Sequence, residues 1–224
     1  MKQPTRHTST IEILRWTMLL SAVFFLIACS SKQEPYPNLI TEFGNLSTNS
    51  EGTFIDMVTD NGQHFNITNT NIKKHRPDTT YRAIIGYCIG STAKNIDAYI
   101  HSLKEAFVLG DSSNHVLRHP TGIESMWIRG KYINMQLSAK SQGKKQYWGY
   151  CIDDVQNADG SNRPHSHYHI SIHHNQNNDL LSYTETYYCS IYVPSIPLIQ
   201  HGDTITVAVN TFNGIKKWTF KTNL

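Results

Sequence analysis

The sequence predicts an all-β fold, and three observations carry that reading. Beyond residue 38, apolar residues alternate with polar ones at period two along nearly the whole chain. Turn-forming clusters such as Asp60-Asn61-Gly62 and Asn213-Gly214 recur at short intervals. No stretch of the second half has the spacing of the dozen-residue helices that parallel crossovers need.

The first element is not a strand. Lys2, Arg6 and Arg15 precede an apolar run from Trp16 to Ala28, which ends at Leu26-Ile27-Ala28-Cys29. A basic region, a short apolar region and small residues before a cut mark a secretory signal. The run falls short of the ~20 apolar residues of a membrane span. Its end resembles the bacterial lipobox, in which the cysteine is acylated and becomes the new N-terminus. A single anchor helix, or an ordinary signal with an incidental cysteine, is the alternative; the lipobox favours lipidation at Cys29. Outer-membrane placement is expected because Ser30, not Asp, follows the cysteine, with the periplasmic face and the cell surface both open. Residues 29–38, with Pro35 and Pro37, read as an extended tether.

Strands are expected over 39–46, 53–59 and 63–68, the last two joined at Asp60-Asn61-Gly62. Residues 81–89 are apolar on both sides, which predicts a central strand. Residues 96–108 fit a helix through Ile96, Tyr99, Ile100, Leu103 and Phe107, and equally fit a strand by alternation. A polar break at 110–114 divides the chain into expected domains of 39–114 and 118–223. Seven strands follow, over 123–128, 131–138, 146–153, 167–174, 186–193, 203–210 and 215–222. Such spacing suggests an antiparallel sandwich. Trp127 and Trp218 are assigned to its core.

Together and in order, four features resemble the NigD-like lipoproteins of the Bacteroidetes. They are the lipobox, the turn Thr59-Asp60-Asn61-Gly62, the aromatic strand running Ser125 to Asn134 through Gly130, and His173-His174 followed by the polar turn 175–179. The resemblance implies an N-terminal OB-like barrel and a C-terminal immunoglobulin-like β-sandwich, with 96–108 a strand. The insertion from Val155 to Ser166 departs from the family pattern. The family has no established biochemical activity and takes its name from a bacteriocin operon, so the resemblance implies architecture and location.

Composition narrows function by exclusion. Loss of residues 1–28 from the 224 leaves 196 and lowers the formal charge of +3 by two, to about +1. Nucleic-acid binding calls for a strong basic excess or stripe, so no nucleic-acid partner is expected. Beyond Cys29 there are three cysteines, Cys88, Cys151 and Cys189. Each sits in an apolar run, which reads as buried thiols, although export favours disulfides. No hydrolase, phosphate-loop or Cys-x-x-Cys motif is present. Asp153 and Asp154 are adjacent and point to opposite faces of a strand. No catalytic residue or cofactor is expected.

His165, His167, His169 and His173 would share one face of a strand. Such a row can ligate zinc or copper, but a polar strand edge explains it without a metal. Residues two apart stand ~6.6–6.8 Å apart, too far for three imidazoles to converge from one strand, so no metal is expected. His173 and His174 are expected to position the following turn. The second half is rich in tyrosine. Tyr147, Tyr150, Tyr183 and Tyr187 are the candidate contacts with a protein or glycan partner, core filling being the alternative. The acylated Cys29 gives a second partner, the lipid membrane.

Overall fold

The computed structural model describes residues 38–68, 73, 75–91, 96–114, 116–156 and 165–224. The signal-like segment with Cys29, the tether to residue 37 and residues 157–164 of the polar insertion lie outside them. Among the described residues no helix is long and apolar enough to cross a membrane.

Five strands form the first body: β1 (Ile40–Thr48), β2 (Phe54–Thr59), β3 (His64–Ile67), β4 (Thr80–Ser91) and β5 (Ile96–Glu105). They close in the order β1-β2-β3-β5-β4, the OB-like arrangement that the resemblance implied. Residues 96–105 are therefore a strand, and β4 is central, pairing with β1 on one side and β5 on the other. Alternation explains the closure. Leu46, Met57, Phe65, Ile85, Tyr87 and Ile100 point inward and fill the barrel. Each such aliphatic side chain contributes about 1.5–3 kcal/mol by leaving water.

The second body is a sandwich. After the short strands β6 (Phe107–Val108) and β7 (Gly110–Asp111), its long strands are β8 (Gly122–Arg129), β9 (Tyr132–Ser141), β10 (Tyr147–Gln156), β11 (His167–Asn175), β12 (Tyr183–Tyr192), β13 (Thr204–Thr211) and β14 (Gly214–Lys221). One sheet runs β14-β13-β11-β10-β7 and the other β6-β12-β9-β8. All seven long strands coincide with the strands read from sequence to within a few residues. The short strands β6 and β7 lie in the segment read as the end of the first domain. They pair instead with β12 and β10 of the sandwich, one in each sheet, while Leu109 between them enters its core. Pairing is not antiparallel throughout. The chain leaves β12, crosses to the other sheet through a 3-10 turn at Val193–Ser195, and lays β13 parallel to β11.

Inner residues of the two sheets, including Ile133, Met135, Leu137, Tyr168, Ile170, Ile172, Val207 and Cys189, make the sandwich core. Trp218 packs against it as expected. Trp127 does not. Lying opposite in phase to buried Met126, it stands on the outer face, 36% exposed, with its ring edge-on to Phe43 of the barrel at 5.6 Å. The three cysteines are free thiols, Cys151 and Cys189 buried and Cys88 half-buried on the barrel wall.

Barrel and sandwich meet through a buried charge. Arg82 on β4 points out of the barrel, and its guanidinium makes two parallel bonds to Asp60, Nη1 to Oδ1 at 2.5 Å and Nη2 to Oδ2 at 2.7 Å. Nη2 also donates to Asn134 Oδ1 on β9 (2.7 Å), Nε to Ser190 Oγ on β12 (3.1 Å), and Nη1 to Asn45 Oδ1 on β1 (3.3 Å). These bonds match the five N–H donors of an arginine. Asn134 Nδ2 donates in turn to Asp60 Oδ2 at 2.6 Å, and the Tyr132 ring lies 3.7 Å from the guanidinium carbon. Gly130 in the β8–β9 turn has φ +53°, and a Cβ there would stand 2.0 Å from the Asp60 carbonyl oxygen. Only glycine fits that contact.

Breaking a buried ion pair by removing one partner costs about 3–5 kcal/mol, more than replacing both by apolar groups. Asp60→Ala is therefore expected to lower the unfolding free energy by about that amount in urea titrations. The double variant Asp60→Leu/Arg82→Met should lose less than Asp60→Ala alone. A loss below about 1 kcal/mol for Asp60→Ala would show that the pair is not the junction's main tie.

Candidate binding surface

The barrel covers the outer face of the four-stranded sheet where β9 begins and β12 ends. That leaves the opposite end of the sandwich open, and the strand ends there are joined by the turns 142–146, 175–182 and 212–213, with the segment 116–121 alongside. Continuing the parallel register of β11 and β13 sets Phe212 level with Asn175, which itself pairs with Tyr147.

Hydrogen bonds between side chains and turns fix this end. Asn177 and Asn178 both take positive φ, 56° and 54°, a conformation that Asn tolerates better than most residues. The chain is thereby turned so that Asp179 points into the sandwich. Its Oδ2 accepts from Ser141 Oγ (2.8 Å) and Gln146 Nε2 (3.1 Å), and its Oδ1 from the backbone N–H of Leu180 (2.9 Å) and Gln142 (3.1 Å). Burial alone raises the carboxyl's pKa, but the bonds from Gln146, Ser141, Gln142 and Leu180 outweigh it, and the net shift is downward.

His174 continues the chain of contacts. Its ring stacks on Trp148 at 3.9 Å with 9° between planes. Its Nε2 lies 2.8 Å from Gln146 Oε1 and its Nδ1 3.1 Å from the His119 carbonyl oxygen. Both partners are acceptors, so the neutral ring donates to one at a time. Burial pulls its pKa down to about 4, and the hydrogen bond to the His119 carbonyl opposes that pull. His119 Nδ1 accepts from the Gln176 N–H at 2.9 Å, and His173 Nδ1 from the Leu117 N–H at 3.0 Å. His173 and His174 thus hold the 117–119 segment, and His119 positions the turn after them.

The other histidines of the row lie at or just before the start of β11. His167 and His169 face outward with rings 4.2 Å apart, and His167 Nε2 is 2.8 Å from Thr206 Oγ1. His165 is exposed, packed over Gly202. His173 has gone to a separate contact. Among the described residues no three His, Cys, Asp or Glu side chains group as a metal site would require.

The tyrosines of the sandwich divide among four environments. Tyr150, a candidate contact from sequence, is 2% exposed in the sandwich core and cannot meet a partner. It lies three residues from Tyr147 on β10, and that odd spacing sends the two rings to opposite faces. Tyr187 is half-buried against Trp148 at 5.1 Å, with its hydroxyl 2.8 Å from Glu185 Oε2. Tyr132, Tyr188 and Tyr192 lie on the junction face of the sandwich. Tyr132 and Tyr192 pack together, and Tyr188 stands edge-on to Phe43. Tyr147 and Tyr183 alone among the four candidates are exposed, at 46% and 53%.

Sequence reading missed their neighbours. Leu180, Leu181, Phe212 and Ile215 are 57–67% exposed on the same turns. With the two tyrosines they make six of the eighteen large apolar side chains exposed among the described residues. A third of the large exposed apolar groups thus lie on or beside the turns at one end of the sandwich. The signal was legible in Leu180-Leu181 directly after a polar turn, out of phase with any strand.

An OB-like barrel tied by a buried arginine to a two-sheet sandwich, with a rigid apolar end opposite the junction, defines a two-part all-β protein. Residues 106–222 match the NigD-like C-terminal beta sandwich domain, and the chain belongs to the NigD-like family. Its fold is shared with a solved NigD-like immunity protein from Bacteroides caccae, at 18% identity and TM-score 0.61, covering 84% of this chain and 99% of the other. A Parabacteroides distasonis protein provisionally described as toxin-related gives 15% identity and TM-score 0.65, covering 83% and 94%. A provisionally described lipoprotein from Bacteroides fragilis gives 9% and 0.55, covering 81% and 97%. No curated protein matches the chain.

The pH dependence of stability tests the His174 assignment. Its folded pKa, about 4, lies below the ordinary 6.5, so between those values the unfolded chain binds more protons. Stability is then full above pH 6.5, falls by about 3 kcal/mol as pH drops to 4, and levels off below. His167 is shifted in the same direction, by burial and then by His169. His174→Gln is expected to flatten most of this slope in denaturant titrations at pH 7 and 4.5. An unchanged slope would mean that His174 is not held neutral by its surroundings.

Proposed function

We propose that this chain is a non-catalytic envelope lipoprotein whose open sandwich end recognises a macromolecular partner, a protein or a glycan. Acylation at Cys29 holds it at the outer membrane, on the periplasmic face or the cell surface. The observation that carries the recognition reading is the exposure of Tyr147, Leu180, Leu181, Tyr183, Phe212 and Ile215 on or beside the turns at one end of the sandwich, two of those turns being held by Asp179 and His174. Rigid turns bearing tyrosine offer contact area at low entropic cost. Support for an envelope location comes from the lipobox and from the structural relative described as a lipoprotein. Burial pushes the thiols of Cys151 and Cys189 up, which keeps both as unreactive neutral groups.

The relative named as an immunity protein favours a second reading, an accessory role in self-protection against a bacteriocin. The two readings separate by experiment. Hot-spot tyrosines at protein contacts carry about 2 kcal/mol or more each. Tyr147→Ala/Tyr183→Ala is expected to lose, from envelope extract, a protein or glycan that the wild type retains, and Leu180→Ser/Leu181→Ser to lose the same one. Identical recovery from all three samples would remove the recognition reading. Bacteriocin sensitivity of a deletion strain would then decide for the accessory role.

A further inference from the structure

The same open end carries charge as well as apolar groups, and what that charge implies is separate from the protein or glycan reading above. Lys144, Lys145, Lys216 and Lys217 are all exposed on or beside the turns of the open end. Residues 142–147, 175–182 and 211–217 contain one carboxylate, Asp179, and it is 6% exposed and bonded inward. A chain of near-neutral mature charge therefore presents a locally cationic end.

Charge and apolar groups are arranged together. In the β13–β14 hairpin, Phe212 and Ile215 flank the turn, and Lys216-Lys217 follow one and two residues down the strand. Leu180 and Leu181 leave the turn whose Asn177 donates to the Lys145 carbonyl at 2.9 Å, a bond that joins that turn to the one carrying Lys144-Lys145. The Lys145 ammonium lies 5.4 Å from the Tyr147 ring centroid. Leucine, phenylalanine and isoleucine at turns, backed by tyrosine and lysine, match a bilayer interface, which offers phosphate above hydrocarbon in that order. We propose that the open end of the sandwich docks on an anionic lipid surface, separately from the N-terminal anchor. Lysines near an anionic surface each supply about a fivefold factor in the docked-to-undocked ratio.

The full chain, reconstituted in vesicles of phosphatidylcholine alone or mixed with phosphatidylglycerol, tests this by hydrogen exchange. The N-terminal attachment is the same in both, so a difference reports the sandwich. Exchange in 142–147, 175–182 and 211–217 is expected to slow several-fold only with phosphatidylglycerol. Lys216→Ser/Lys217→Ser should lower the docked ratio about 25-fold, and a Leu181→Trp probe should be quenched by brominated lipid only in the anionic vesicles. Equal exchange in the two compositions would overturn the proposal, whether the segments are protected in both or in neither. If that occurs while the tyrosine and leucine variants still lose a captured protein or glycan, the recognition surface stands and its partner is not lipid. Loss of both results removes both readings.

Discussion

A guanidinium removed from water must have its charge and all its donors met, and that requirement organises this protein. Arg82 leaves the barrel at its wall and finds Asp60 on its own side, with Asn134 and Ser190 on the sandwich. Neither body can satisfy it alone. The apolar cores on the two sides are separate, so what joins them is a polar network with apolar edges at Phe43, Trp127 and Tyr132. Such a network is directional where an apolar interface is not, and it fixes one orientation. The connecting segment helps as well: the Ala106 N–H donates a hydrogen bond to the Arg82 carbonyl before the chain enters both sheets of the sandwich.

The junction also determines what is left for function. The outer face of the four-stranded sheet would otherwise expose Tyr132, Tyr188 and Tyr192, and the barrel covers it. A surplus of tyrosine that suggested a broad aromatic surface is mostly internal. The open end is narrower, and it is made firm by buried polar groups rather than by strands. Asp179 does for that end what Asp60 does for the junction: each is a carboxylate held in place by donors from more than one segment.

Much of this was legible in the sequence. Alternation located the strands because inward and outward residues differ in polarity at period two, and the turn residues marked their ends. Two of the motifs that carried the family resemblance, Thr59-Asp60-Asn61-Gly62 and the strand through Gly130, prove to be the two sides of the junction, in contact at Asp60 and Gly130. Their meeting could not be read, because contact between distant segments has no local period. Arg82 left a trace as the one charge inside the apolar run 81–89. Trp127 was misplaced because an aromatic residue at an interface between bodies has the same pattern as one in a core. Tyr150 was grouped with Tyr147 by proximity in sequence, although strand parity separates them.

Through Arg82, barrel and sandwich form one cooperative structure. Differential scanning calorimetry of the wild type and Arg82→Met tests it most directly. One transition is expected for the wild type, with calorimetric and van't Hoff enthalpies equal, and two resolved transitions for Arg82→Met as barrel and sandwich melt apart. Two transitions in the wild type, or an unchanged single transition in Arg82→Met, would contradict it.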